Sequence, residues 1–243
     1  MIRAARAALG VALGAALLWL VAGHGLLNYD TLTTLVWGRD IARGDLPDYD
    51  LSLAPTPHPL ATLAAIALAP LSLHAVDGVH GEAAVAVTTG FAFVALALLG
   101  WVVYALGAAW FGRAAGVLAA AILLTRRPVL DFGARAYVDV PYLVLVLGAL
   151  LVETRRPRAG ATVLALLALA GLIRPEAWLF SAAYLAWLAI GPGRNPRRLA
   201  ALAALNSQAS GRISPATASS ARTGTPARGR RVSTSSAPST STR

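Results

Sequence analysis

The chain has 243 residues, of which 57% are hydrophobic and 13% charged, and it contains no cysteine. Soluble domains carry about a quarter charged residues, so this composition excludes an ordinary soluble domain, and the lack of cysteine excludes disulfides and thiolate metal sites. The formal net charge of +10 comes wholly from arginine, and six of the 21 arginines lie after residue 205, so the charge makes no case for a nucleic-acid partner.

The first apolar run, Ala7 to Leu27, is 21 uncharged residues, long enough to cross a hydrocarbon core of about 30 Å at about 1.5 Å per residue. It follows Arg3 and Arg6 and is longer than the roughly 7 to 15 apolar residues of a signal peptide. It therefore reads as an uncleaved first span with its N-terminus in the cytoplasm. Next comes Tyr29 to Asp50, which gathers five of the eleven carboxylates: Asp30, Asp40, Asp45, Asp48 and Asp50. Within it Leu32, Leu35, Val36 and Ile41 recur near helical spacing, which predicts an amphipathic helix over Thr31 to Arg43 lying along the membrane. Asp30 is placed to cap that helix, Asp40 to pair with Arg39 or Arg43, and Asp45, Asp48 and Asp50 suit turns around Pro47. A chemical role for Asp30 or Asp40 stands level with those structural roles.

Pro55, Pro57 and Pro59 flank His58 in a rigid turn. The apolar stretch from His58 to Leu73 is only 16 residues, bracketed by Pro59 and Pro70, and reads as an interfacial or re-entrant helix. Ala83 to Leu106 is a second clear span. Ala114 to Thr125, Val140 to Val152, Ala159 to Ile173 and Ala177 to Ile190 are shorter and need flanking residues or snorkelling arginines to reach both interfaces. Between them lie two basic loops, Glu153 to Arg158 and Gly191 to Arg198, which the positive-inside rule assigns to the cytoplasm. The expected architecture is an all-α polytopic transmembrane bundle of about six spans, with interfacial helices in its first outer loop. Three loops then face outward: 28–82, 126–139 and the turn 174–176. They hold ten of the eleven carboxylates, with Glu153 the exception.

In the second outer loop Arg126, Arg127 and Arg135 stand where the positive-inside rule disfavours them. Binding an anionic ligand is one reason, because guanidinium groups hold phosphate oxygens in bidentate fashion. Snorkelling of Arg126 and Arg127, and a helical pair between Arg135 and Asp139, are the plain alternatives. Arg174 and Glu176 sit at a turn where charged groups either face a cavity or tie a helical hairpin. His58 offers a metal ligand or a phosphate donor, or serves as a rigid loop residue. His24, His74 and His80 share no ligand spacing.

Taken in order, these features resemble the GT-C superfamily of integral-membrane glycosyltransferases, in its bacterial mannosyltransferase-like branch. The likeness runs from Ala7 to Arg198. It rests on Asp30 after the first span, the turn Pro55 to Leu60, the inner turn Trp110 to Arg113, Arg135 with Asp139, and Leu172 to Trp178. It implies transfer of a sugar from a polyprenyl-phosphate donor to a glycan, lipid or protein acceptor on the extracytoplasmic face of the plasma membrane. It assigns a base or acceptor-orienting role to Asp30, with Asp40 as the substitute. Donor phosphate would be held by Arg135 with Arg126 or Arg127, with Asp139, His58, Arg174 and Glu176 as further binding residues. Some relatives use a divalent metal, Mg²⁺ or Mn²⁺, and others none; the residues here offer no ligand set that chooses, and none is assigned to metal.

The pattern changes after Leu205. Residues 206–243 are 38 positions made almost wholly of Ser, Thr, Ala, Pro, Gly and Arg, without an acidic residue, a composition that cannot build a core and predicts disorder. The domain division expected is therefore a transmembrane region over 1–205 and a tail over 206–243. Since relatives continue with further spans, the tail reads as a linker or as the product of a frameshift or truncation. Two other function classes stay open: an inactive fragment or assembly subunit of such an enzyme, and a polytopic transporter.

Overall fold

A computed structural model describes residues 2–23, 25–49, 53–72 and 82–190. Expectations for His24, Asp50, His74, Asp77, His80, the basic loop 191–198, the apolar run 199–205 and the tail 206–243 fall outside the described residues. Within them the chain is helical and without strands: α1 (Ile2–Ala22), α2 (Tyr29–Arg43), α3 (Pro59–Ser72), α4 (Glu82–Phe111), α5 (Arg113–Leu124), α6 (Arg127–Ala134), α7 (Asp139–Arg155), α8 (Gly160–Ile173) and α9 (Ala177–Ile190).

Two helices are long and apolar enough to cross a membrane, over Ala5–Ala22 and Ala83–Phe111. A third is reached if α6 and α7, which meet at 111°, form one broken span. This makes the chain a membrane helical protein. The first span lies earlier than the apolar run suggests, because α1 begins among the arginine-bearing residues and ends at Ala22, where Gly23 takes a left-handed φ of 66°.

The centre of the bundle is α4, whose 30 residues extend about 45 Å. α1 runs antiparallel to it: Trp19 stacks edge-on against Phe93, and the backbone at Gly14 lies beside Ala97. α5 returns along α4 in close contact, since a Cβ on Gly107 would come within 2.9 Å of the Gly116 Cα. Small residues at such crossings let backbones approach, which is how helices gain packing energy inside lipid. α7 runs parallel to α4, with Val140 against Ala95, Leu96 and Leu99, and Leu151 against Val102, Ala105 and Leu106. α8 then packs on α7 through Val163, Leu167 and Ala149, and α9 on α8.

The short helices set the position of the site. α5, α8 and α9 have 12, 14 and 14 residues, so each extends only about 18 to 21 Å. α7 starts against the middle of α4 rather than its end, and Gly133 of α6 packs on Leu96. The turn between α5 and α7 is therefore recessed, roughly a dozen residues below the start of α4. α2 and α3 fill the space above it, packed on each other at Gly38 and Ala65, with α3 also touching α4 and α8. Trp37 is 2% exposed and stacks on Tyr49 at 4.9 Å, anchoring the far end of α2.

Candidate functional site

α2 starts two residues earlier than the hydrophobic spacing suggests, and its cap is Asn28, not Asp30. Asn28 Oδ1 accepts from the Thr31 backbone N–H at 3.0 Å, while Asn28 Nδ2 donates to Thr31 Oγ1 at 2.9 Å. The same amide donates to the Arg135 carbonyl at 2.9 Å, and the Asn28 backbone N–H donates to it at 3.0 Å. Thr31 Oγ1 donates in turn to the Ala136 carbonyl at 2.8 Å. These bonds hold the segment that follows α1 directly on the turn between α6 and α7. Ala136 keeps a φ of 55°, an uncommon conformation for a residue with a Cβ, at the point where the carbonyls of 135 and 136 turn toward α2.

Asp30 occupies the first turn of α2, where a negative charge complements the helix dipole. Among the described residues its carboxylate has neither a hydrogen bond nor an ion-pair partner. Asp40 lies near the other end, about 15 Å along the helix axis, and its Oδ1 accepts from the adjacent Arg39 at 3.3 Å. The two aspartates are thus separated, with only Asp30 next to the contact between loops.

In the second loop, Arg126 caps α6 and is exposed, and Arg127 reaches Asp131 at only 4.0 Å, with both side chains in solvent. Such a pair contributes little. Arg135 is the C-cap of α6 and Asp139 opens α7. The 111° bend between those helices prevents the one-turn pair that their spacing suggests. Asp139 instead accepts from Arg174 Nη1 at 2.7 Å. Arg174 closes α8, and its guanidinium also lies 5.9 Å from the centre of the Tyr142 ring. Arg126 and Arg135 have no carboxylate partner among the described residues. Glu176 is exposed in the same turn as Arg174.

His58 is buried, and its Nδ1 lies 2.6 Å from the Ile173 carbonyl, the last of α8. A carbonyl only accepts, so Nδ1 carries the proton. The bond satisfies one of the carbonyls that a helix C-terminus leaves open, and it fastens the proline-rich turn to the segment bearing Arg174. His58 therefore has a structural task sufficient to explain its burial.

The segment that bears α2 and α3, the turn between α6 and α7, α4 and the end of α8 meet around a cavity of about 400 Å³. Thr31, Thr34 and Leu35 of α2, parts of α3 between Leu60 and Leu68 and of α4 between Val87 and Ala92, Ala136, Tyr137, Val138 and Pro141, and Ile173 line it. Its lining is almost wholly apolar, because the Thr31, Thr34 and Thr88 hydroxyls donate to the carbonyls of Ala136, Asp30 and Ala84. Among the described residues no three His, Cys, Asp or Glu side chains gather closely enough to hold a metal ion.

Three residues that organise this site carry no charge and escape a search for ionisable groups: Asn28, Thr31 and Ala136. The first does leave a local signal, since Asn is a favoured N-cap residue ahead of a helical pattern. The partner of Asp139 leaves none, because Arg174 is 35 residues away. The chain matches no protein-family model, no curated protein and no solved structure.

Proposed function

We propose that the chain is a membrane glycosyltransferase that moves a sugar from a polyprenyl-phosphate donor to an acceptor hydroxyl on the extracytoplasmic face. The observation that supports this reading is the meeting of α2, α3 and the turn between α6 and α7 around an apolar cavity, with the unpaired guanidinium of Arg135 in the turn that Asn28 holds and the unpartnered carboxylate of Asp30 in the first turn of α2. A donor of this class has an apolar chain, an anionic phosphate and a transferable sugar. Those three parts call for an apolar recess, free cations and a base.

In this reading about six segments span the plasma membrane, α1, α4, α5, α7, α8 and α9, with the N-terminus in the cytoplasm. Asp30 takes the proton from the acceptor hydroxyl as its oxygen attacks the anomeric carbon. The bond from that carbon to the phosphate oxygen breaks, and the phosphate leaves on the polyprenyl chain. Arg135 and Arg126 stabilise its growing charge. Asp139, Arg174 and His58 position the loops, and Asp40, held by Arg39, is secondary to Asp30.

Membranes carrying the full chain, supplied with polyprenyl-phosphate sugars one at a time and a mixed acceptor pool, are expected to release free polyprenyl phosphate and label an acceptor. Correctly inserted protein that releases none with any donor would sink the proposal. A second reading, an assembly subunit without activity of its own, draws on the change to Ser-, Thr- and Arg-rich composition after Leu205. It predicts transfer only when a companion chain is present.

A further inference from the structure

At the end of the bundle opposite the three outer loops, the helix directions bring together the start of α1, the turn between α4 and α5, and the end of α7. Arg6, Arg113, Arg155 and Arg156 all lie at that end and all are exposed. Arg155 and Arg156 have no carboxylate partner among the described residues. The nearby Glu153 is occupied, its Oε2 accepting from the Tyr184 hydroxyl at 2.7 Å. A cleft of about 710 Å³ opens beside these two arginines, walled by Ala7, Val11 and Ala12 of α1 and by Val94, Leu98 and Trp101 of α4. Only 6% of the first span is buried within the protein, so the cleft opens toward lipid.

We propose that this cleft binds an anionic phospholipid, with its phosphate on Arg155 and Arg156 and an acyl chain between α1 and α4. A free phosphate would use the two guanidiniums and leave the apolar walls unfilled. A zwitterionic lipid would fill the walls but set its own cation against the arginines. An anionic lipid satisfies both parts, and basic pockets between helices on the cytoplasmic side are suited to such headgroups. The same charge complementarity accounts for two unpaired arginines side by side at a helix C-terminus. It also gives α1 a second attachment besides its packing on α4. The site does not depend on the proposed transfer reaction.

The test uses the purified full chain in nanodiscs of equal phosphatidylglycerol and phosphatidylcholine, with the lipids retained on gentle release counted by native mass spectrometry. Phosphatidylglycerol is expected to be retained over phosphatidylcholine by about tenfold or more. In Arg155→Gln/Arg156→Gln that preference should fall below about threefold. Ala12→Trp, which narrows the cleft and keeps both charges, should lower retention in the same way, whereas Arg43→Gln on the opposite side of the bundle should not. Equal retention of the two lipids by the unaltered chain, or an unchanged preference in the double variant, overturns the proposal. Full retention in Ala12→Trp overturns it as well, because the lipid would then sit outside the cleft.

Discussion

Arg174 Nη1 donates to Asp139 Oδ1 across 2.7 Å, joining the end of α8 to the start of α7. Each charge also sits at the helix end that favours its sign. Neutralising one partner leaves the other half-buried, with 39% of the Arg174 side chain and 26% of the Asp139 side chain exposed. A double-mutant cycle of Asp139→Asn and Arg174→Gln, read by chemical unfolding in micelles, is expected to give a coupling of about 1 kcal/mol. Additivity within about 0.3 kcal/mol would show that the contact contributes nothing to stability.

Asn28 makes a separate prediction because its two amide ends do different work. Asn28→Ala removes the cap and the donor to the Arg135 carbonyl together, with an expected loss of about 1 to 2 kcal/mol. Asn28→Asp keeps the acceptor for the Thr31 N–H but loses the donors to Arg135 and to the Thr31 hydroxyl. Hydrogen exchange should separate them. The alanine variant exposes the first turn of α2, while the aspartate variant leaves that turn protected and loosens residues 135–137. Identical exchange in the two variants would place the whole effect in the amide donors that both lose, and none in the cap.

Much of the helical order is legible in the sequence, and the reason is visible in particular residues. Proline and glycine mark the breaks around α3, α5 and the turn at Pro175, and long apolar runs mark α1 and α4. What escapes is depth. Composition treats 126–139 as a loop at the surface, yet α7 begins against Leu96 at the middle of α4, because the short α5 stops there. Pairing escapes for a related reason: Arg135 and Asp139 look like neighbours on one helix until the bend between α6 and α7 divides them. Asp30 is legible as a carboxylate at the start of α2, but Asn28 takes the capping role that the spacing alone gives to it.

His58 tests whether burial or ligand chemistry explains a histidine set among prolines. His58→Phe keeps the volume roughly but leaves the Ile173 carbonyl without its donor, at an expected cost of about 1 to 3 kcal/mol in micelle unfolding. Thermal melts with and without Mn²⁺ provide the second readout. A structural role predicts the same melting temperature in both, whereas a metal ligand predicts a rise with metal that the variant loses.

Gly38 is where α2 and α3 meet, and a Cβ there would come within 2.6 Å of the Ala65 carbonyl carbon. Since the obstacle is backbone, rotamer changes cannot relieve it. Gly38→Leu should cost about 1 to 3 kcal/mol through overpacking and should lift α2 from α3. Limited proteolysis between residues 43 and 58 is expected to quicken severalfold. Unchanged cleavage would mean that α2 shifts along α3 without opening.

Asp30 and Asp40 give the sharpest contrast, because both are carboxylates of α2 and only Asp40 is already paired. If Asp30 is the base, Asp30→Asn should lower sugar transfer by about 10² to 10⁴-fold. Its stability should change by less than about 1 kcal/mol, the size of a lost charge interaction with the start of a helix. Asp40→Asn removes a contact with Arg39 at 3.3 Å and should keep transfer within about a few-fold of the unaltered chain. Transfer measured per inserted molecule, together with unfolding in micelles, separates chemistry from folding. The reverse ranking, with transfer lost in Asp40→Asn and kept in Asp30→Asn, would move the base to the far end of α2 and away from the junction that Asn28 builds.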